Sequence, residues 1–169
     1  MPDLSTHTVA LALGSNIGER LLSLKTAIKE LAPYVALSGT SSVYETAAAY
    51  VTDQPAFLNA VVLGTTSLEP LVLLRTVKDM ENDIGRMPTF RYGPRVIDID
   101  ILFYDDLILA TPELTLPHSH MAERDFVLRP LSEVAPHWKH PQSGKTASEL
   151  LALLPDMKMS CLGNVWAAS

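Results

Sequence analysis

Val96-Ile97-Asp98-Ile99-Asp100-Ile101-Leu102-Phe103-Tyr104 is the stretch on which the fold turns. Its β-branched and aromatic residues favour an extended strand. Strict alternation places Ile97, Ile99, Ile101 and Phe103 on one face and Asp98, Asp100, Leu102 and Tyr104 on the other. The two aspartates then share a face, about 7 Å apart along the backbone, in a residue type that strands disfavour. Carboxylates so placed repel. A hard divalent cation such as Mg²⁺ relieves the repulsion, because it accepts one or two carboxylates and completes its octahedron with water and phosphate oxygens. The plainer alternative is a half-exposed edge strand with solvated aspartates.

Upstream of this strand, Ser67 and Pro70 announce a helix whose apolar residues Leu73, Val77, Met80 and Ile84 recur at helical spacing, and Gly85 ends it. Before it lies an apolar run from Phe57 to Leu63, read as a strand. A polar, alanine-rich connection from Thr46 to Gln54 separates that run from a further strand at about Tyr34 to Glu45. A first strand, Thr8 to Leu13, passes through the turn Gly14-Ser15-Asn16 into a helix from about Glu19 to Leu31. The order βαββαβ predicts an α+β fold of the ferredoxin-like kind, an antiparallel sheet with two helices on one face. Downstream, the turn Asp105-Asp106 with Leu107 to Leu109 predicts a short added hairpin, and C-terminal helices are expected near Phe126 to Glu133 and Thr146 to Leu154. One domain over residues 1–169 is expected, with its core at about 8–155.

Composition narrows the class. A chain of 169 residues with 47% apolar residues buries a core without disulfides or a structural metal. Its longest apolar runs are five residues, far short of a membrane span. The lone Cys161, with no signal peptide before it, points to a reducing, cytoplasmic setting. Thirteen basic against nineteen acidic side chains give a net charge of −6, which argues against a general electrostatic grip on nucleic acid. Any polyanion must therefore be held locally. Five of the seven arginines, Arg86, Arg91, Arg95, Arg124 and Arg129, lie in a stretch without lysine, although seven acids share it. Guanidinium meets phosphate oxygens in pairs, so the stretch reads either as a phosphate site or as ordinary surface pairing.

Position sharpens this. Arg91-Tyr92-Gly93-Pro94-Arg95 sets two cations and a ring directly before the aspartates, with Arg86 behind the helix-ending Gly85. Phosphoryl transfer needs that set, since its catalysis is mostly positioning and neutralisation of charge. Pro117-His118-Ser119-His120 offers a histidine for phosphate oxygens, a metal ligand or a structural hydrogen bond. Asn59 interrupts an apolar strand, so its amide must find a partner in the protein backbone or in a ligand. An amide suits the edge of a pterin or purine ring, which Phe57 and Phe126 would sandwich. Two phosphate-binding signatures fail. Ser143-Gly144-Lys145-Thr146 has Lys139 where a P-loop needs its first glycine, and Gly14-Ser15-Asn16-Ile17-Gly18 lacks the dinucleotide pattern.

Taken in order, Gly14-Ser15-Asn16, Asp53-Gln54-Pro55 with Phe57-Leu58-Asn59, Gly85-Arg86, Gly93-Pro94-Arg95 through Asp98-Ile99-Asp100, and Pro117-His118 with Arg124 and Phe126 resemble the 6-hydroxymethyl-7,8-dihydropterin pyrophosphokinases over about residues 8–155. That family of folate biosynthesis moves the terminal pyrophosphoryl group of ATP onto a pterin hydroxymethyl group and has a ferredoxin-like fold. The resemblance implies that Asp98 and Asp100 hold two Mg²⁺ ions against ATP, the co-substrate. Arg86 and Arg95 would be catalytic, neutralising the transferring group. His118 and Arg124 match positions that touch the ATP phosphates, and Glu81, Ile101 and Thr115 match the adenosine pocket, where Lys78 stands in place of a possible glutamine. Gly14, Thr46, Phe57, Asn59 and Phe126 match the pterin pocket. Tyr92 there replaces a frequent tryptophan, and Ala47 and Ala49 replace a proline-rich segment. The implied partners are ATP and 6-hydroxymethyldihydropterin, met by a cytoplasmic monomer without nucleic acid or membrane.

Two other classes share the architecture. A small-molecule-binding regulatory module would have no use for paired aspartates beside arginines, so metal-dependent AMP formation separates it. An RNA-binding sheet would need a basic-aromatic strand motif, which this acidic chain lacks.

Overall fold

The computed structural model describes residues 5–47, 54–85, 96–155, 159–164 and 166. Strand β1 (His7–Ser15) lies at the centre of the sheet, antiparallel to β4 (Phe57–Thr66) on one side and to β5 (Asp98–Tyr104) on the other. Beyond β4 come β2 (Ala36–Thr40) and β3 (Val43–Thr46), and β8 (Ser160–Gly163) closes that side against β3. Helices α1 (Arg20–Leu31) and α2 (Pro70–Ile84) cover one face, as the βαββαβ order predicts. On that face Leu24, Leu31, Leu73 and Val77 meet Val9, Leu11, Leu13, Ile97 and Ile99, all fully or almost fully buried. The C-terminal helices α3 (Asp125–Val134) and α4 (Ala147–Ala152) take the other face, where Leu128 and Leu131 pack on Ala10, Val61, Leu102 and Phe103.

Helices α2 and α4 are bounded by local signals. Pro70 opens α2 at a position that needs no amide donor, and Gly85 closes it in the left-handed region at φ 110°. Thr146 and Glu149 form a reciprocal capping box at α4. No helix among the described residues is long and apolar enough to cross a membrane.

The structure corrects the sequence reading in four places. The strand expected at Tyr34 to Glu45 is two strands, because Ser41 breaks it: its hydroxyl, instead of its carbonyl, accepts the Val61 N–H, while the carbonyl accepts from Trp166 Nε1. The alternation expected through Tyr104 fails after Ile101, where the register with β1 shifts by one residue. That bulge turns Phe103 to the α3 face, stacked on Trp138 at 4.3 Å, and Tyr104 to the α1 and α2 face. The hairpin expected at Leu107 to Leu109 lies further on, between β6 (Leu109–Ala110) and β7 (Thr115–Leu116). Asp105 is occupied instead in closing the strand end, with φ 51° and its carboxylate on His7 and the Thr8 amide. Strand β8 was not foreseen, as Ser160 to Gly163 shows no clear period.

Of the described glycines, Gly64 has the least room. A Cβ there would sit 2.6 Å from the Ala36 carbonyl oxygen and 2.8 Å from Val35 Cγ1. Backbone cannot yield as a flexible side chain can. Gly64→Ala is expected to destabilise the protein by about 1–3 kcal/mol, the usual cost of overpacking, seen as a lower thermal-denaturation midpoint.

Candidate active site

Antiparallel register builds a row of side chains across three neighbouring strands and onto a fourth. Asp98 on β5 faces Gly14 on β1, Gly14 faces Asn59 on β4, and Asn59 faces Tyr44 on β3. Paired residues in adjacent strands project from the same face. The next rows set Asp100 beside Ala12, and Phe57 beside Thr46. The carboxylates, the amide and the ring therefore share the sheet face that α3 covers only in part.

At the β4 end, Asn59 is buried and its Nδ2 donates to Thr46 Oγ1 at 2.8 Å. The partner that a buried amide requires is thus a side chain from the adjacent strand, not the backbone or ligand that the sequence suggests. Gly14 leaves a gap in front of it: a Cβ would lie 3.3 Å from Asn59 Oδ1 and 3.6 Å from Phe57 Cδ1. Asn59, Phe57 and the bare Gly14 backbone thus form a small cradle on this face. Tyr44 was missed by sequence reasoning, because only the register shows that it flanks Asn59. Its hydroxyl donates to Glu133 of α3, and burial, then this hydrogen bond, raises its pKa.

At the β5 end, Asp98 and Asp100 are half-buried. Burial, then the charge of Asp98, lifts the Asp100 pKa from 3.8 to about 7, opposed by Lys78 and Arg124. Among the described residues Lys78 and Arg124 oppose the shift, and a pair of like-charged carboxylates is the donor chemistry a hard cation fits. Among the described residues no three His, Cys, Asp or Glu side chains gather as a complete metal cage. Two carboxylates supply the partial set with which Mg²⁺ is held alongside substrate phosphates.

The segment after β7 brings in the histidine. The His118 amide donates to the Leu102 carbonyl of β5 at 2.8 Å, and its Nδ1 accepts from the His120 amide at 3.2 Å. Burial, then Arg124 and His120, lowers its pKa to about 4. A neutral ring whose Nδ1 accepts carries its proton on Nε2, ready to donate to an anion. Arg124 follows at the N-cap of α3, its guanidinium carbon 5.7 Å from the centre of the Phe126 ring. Cation and ring thus arrive together at the face bearing the aspartates.

Glu81 is buried on α2, with Oε2 accepting the Ile99 N–H at 2.8 Å and Oε1 3.3 Å from Lys78 Nζ. Because β5 is an edge strand, this carboxylate and lysine stand in for a missing neighbouring strand beside Ile99. Ile101 is buried two residues on, while Thr115 is exposed on β7 and Ala47 is exposed just past β3. Arg86, Arg95, Tyr92 and Ala49 lie outside the described residues. The described site thus joins Gly14, Thr46, Phe57 and Asn59 on one side to Asp98, Asp100, His118 and Arg124 on the other.

The profile of the 7,8-dihydro-6-hydroxymethylpterin-pyrophosphokinase family matches residues 10–136. The chain is 43% identical over 150 residues to the folic acid synthesis protein FOL1 of Dictyostelium discoideum, covering 89% of this chain and 23% of that protein. It is 42% identical over 142 residues to the 2-amino-4-hydroxy-6-hydroxymethyldihydropteridine pyrophosphokinase of Aquifex aeolicus, covering 84% of this chain and 89% of that protein. The crystal structure of wild-type HPPK-DHPS from Plasmodium falciparum shares its fold, with a TM-score of 0.74 at 18% identity over 90% of this chain and 45% of that one. The chain therefore spans about a quarter of the Dictyostelium protein, under half of the Plasmodium one and most of the Aquifex one.

The Asp100 carboxyl has a consequence for stability. An acid whose folded pKa exceeds its unfolded value keeps its proton longer in the native state, so its contribution is present below pH 3.8 and is lost as pH rises towards about 7. Without metal, Asp100→Asn is therefore expected to melt above wild type at pH 8, by roughly 2–4 °C for each kcal/mol relieved. The difference should close as pH falls to 4 in a thermal-denaturation series.

Proposed function

The chain belongs to the 7,8-dihydro-6-hydroxymethylpterin-pyrophosphokinase family, and on that premise we propose that it transfers the terminal pyrophosphoryl group of ATP to 6-hydroxymethyl-7,8-dihydropterin in folate synthesis. The observation that carries this reading is the face shared by an amide and ring cradle at Asn59 and Phe57 and a carboxylate pair at Asp98 and Asp100. One end suits a pterin and the other a metal-bound polyphosphate. The pterin hydroxyl oxygen attacks the β-phosphorus, the bond from that phosphorus to the oxygen bridging to the α-phosphate breaks, and AMP leaves with that oxygen while the hydroxyl proton passes to solvent.

Asn59, its Nδ2 held by Thr46, presents the rest of its amide to the pterin edge, with Phe57 and Phe126 against the ring faces. Gly14 keeps the cradle open, and Ala47, Ala49 and Tyr92 border it by resemblance. Asp98 and Asp100 would hold two Mg²⁺ ions, which when bound supply neutralisation of phosphate charge. His118 donates from Nε2 to a phosphate oxygen, and Arg124 pairs with another. Arg86 and Arg95 neutralise the transferring group, a role that rests on their positions in the sequence motif. Lys78, Glu81, Ile101 and Thr115 form the adenosine side, where Glu81 supports the exposed edge of β5. All these groups come from one chain, which supports action as a monomer. We place the reaction in the cytoplasm, where ATP is abundant and a lone exposed thiol such as Cys161 stays reduced.

Incubation with ATP, Mg²⁺ and 6-hydroxymethyl-7,8-dihydropterin is expected to yield AMP and the pterin diphosphate. Chelation with EDTA should stop it. Asp98→Ala and Asp100→Ala should each lower the rate of AMP formation by roughly 10²-fold or more, as removal of one electrostatic stabiliser does elsewhere. Near wild-type turnover of either variant at saturating Mg²⁺ would remove the metal assignment.

A further inference from the structure

We propose that Arg20 is a positioning residue for the pterin side of the site, an assignment that rests on the function proposed above. Arg20 is the first residue of α1, and that helix packs on the sheet face opposite the cradle. Its Nη1 lies 2.6 Å from Glu45 Oε2 and 2.9 Å from the carbonyl oxygen of Ala56. Those two contacts sit at the two ends of one chain connection. Glu45 directly precedes Thr46, Ala56 directly precedes Phe57, and Thr46 and Phe57 face each other across β3 and β4. One guanidinium nitrogen thereby bridges the Glu45 side chain and the Ala56 backbone, the residues beside which the cradle's rim projects.

Asn16 reinforces the tie from the same corner. It is buried, and its Nδ2 donates to Gln54 Oε1 at 2.9 Å and to the Pro55 carbonyl at 3.0 Å. The turn from β1 into α1, which begins just after Gly14, thus grips the connection whose ends carry Thr46 and Phe57. Loosening Arg20 frees Glu45, shifts Thr46, and removes the fixed acceptor that orients the Asn59 amide. The ion pair is about one-third exposed on each side, so it contributes little to global stability. Its effect belongs in the geometry of the cradle.

The test uses the whole chain and three proteins: wild type, Arg20→Ala and Arg20→Lys. From AMP formation, Arg20→Ala should raise the KM for 6-hydroxymethyl-7,8-dihydropterin about tenfold, the scale of lost preorganisation, with the KM for ATP unchanged. Arg20→Lys, which keeps a donor and a charge, should recover most of that loss. An unchanged pterin KM in Arg20→Ala overturns the proposal, as does an equal rise in both KM values with a lower melting temperature. Hydrogen exchange at the Thr46, Phe57 and Asn59 amides reads the tie without any substrate. Faster exchange there in Arg20→Ala, with α2 and β5 unaltered, supports it, and identical exchange refutes it. Should wild type form no AMP, the proposed function fails on its own account while the exchange comparison still decides whether Arg20 holds the rim.

Discussion

Asp98 and Asp100 are forced onto one sheet face by the two-residue period of a strand, and neither is fully in water. That repulsion is the constraint around which the site is arranged. Among the described residues Lys78 and Arg124 oppose it, yet burial and the charge of Asp98 make Asp100 bind its proton far more tightly than an ordinary aspartate. A fold selected for stability alone would place asparagine or an apolar residue there. Retaining two acids at this position costs native stability at neutral pH, a cost that the proposed binding of a cation would offset.

The two sheet faces divide the labour. Under α1 and α2, Ile97, Ile99 and Ile101 interlock with Leu11, Leu13, Val77 and Met80, and this side supplies most of the buried apolar surface. On the other face α3 and α4 cover only part of the strands, ending near Val61 and Phe103. The far ends of β1, β4 and β5 are left for Gly14, Asn59 and the aspartates. Because alternate residues of the same strands serve both purposes, the packing of one face fixes the spacing of reactive groups on the other.

Much of this was legible in the sequence, since periodicity of 3.6 and 2 reports which face is buried. The order βαββαβ, apart from the split of its second strand, and the shared face of Asp98 and Asp100 follow from it, while Pro70 and Gly85 mark the bounds of α2. What periodicity does not encode is pairing. The flanking of Asn59 by Tyr44, the bridging of Glu45 and Ala56 by Arg20, and the support of Ile99 by Glu81 are contacts between residues distant in sequence. The break at Ser41 and the bulge after Ile101 were hidden for a related reason: each depends on a hydrogen bond or register shift that a neighbouring strand imposes. Arg86 and Arg95 remain known by motif alone.

The strand β8 has a consequence for how the chain is assembled. It pairs Ser160 to Gly163 with Glu45 to Val43, and Trp166 reaches Ser41 from the same side. During synthesis the strand that ends in Thr46 therefore emerges with one bare edge and waits until residues 160–163 have been made before its second neighbour arrives. Contacts so far apart in sequence form slowly, and an unpaired edge recruits other strands while it waits. The edge from Val43 to Glu45 is thus open to pairing with other strands until residues 160–163 have emerged, and a chain cut before residue 160 would keep most of its core but leave that edge bare.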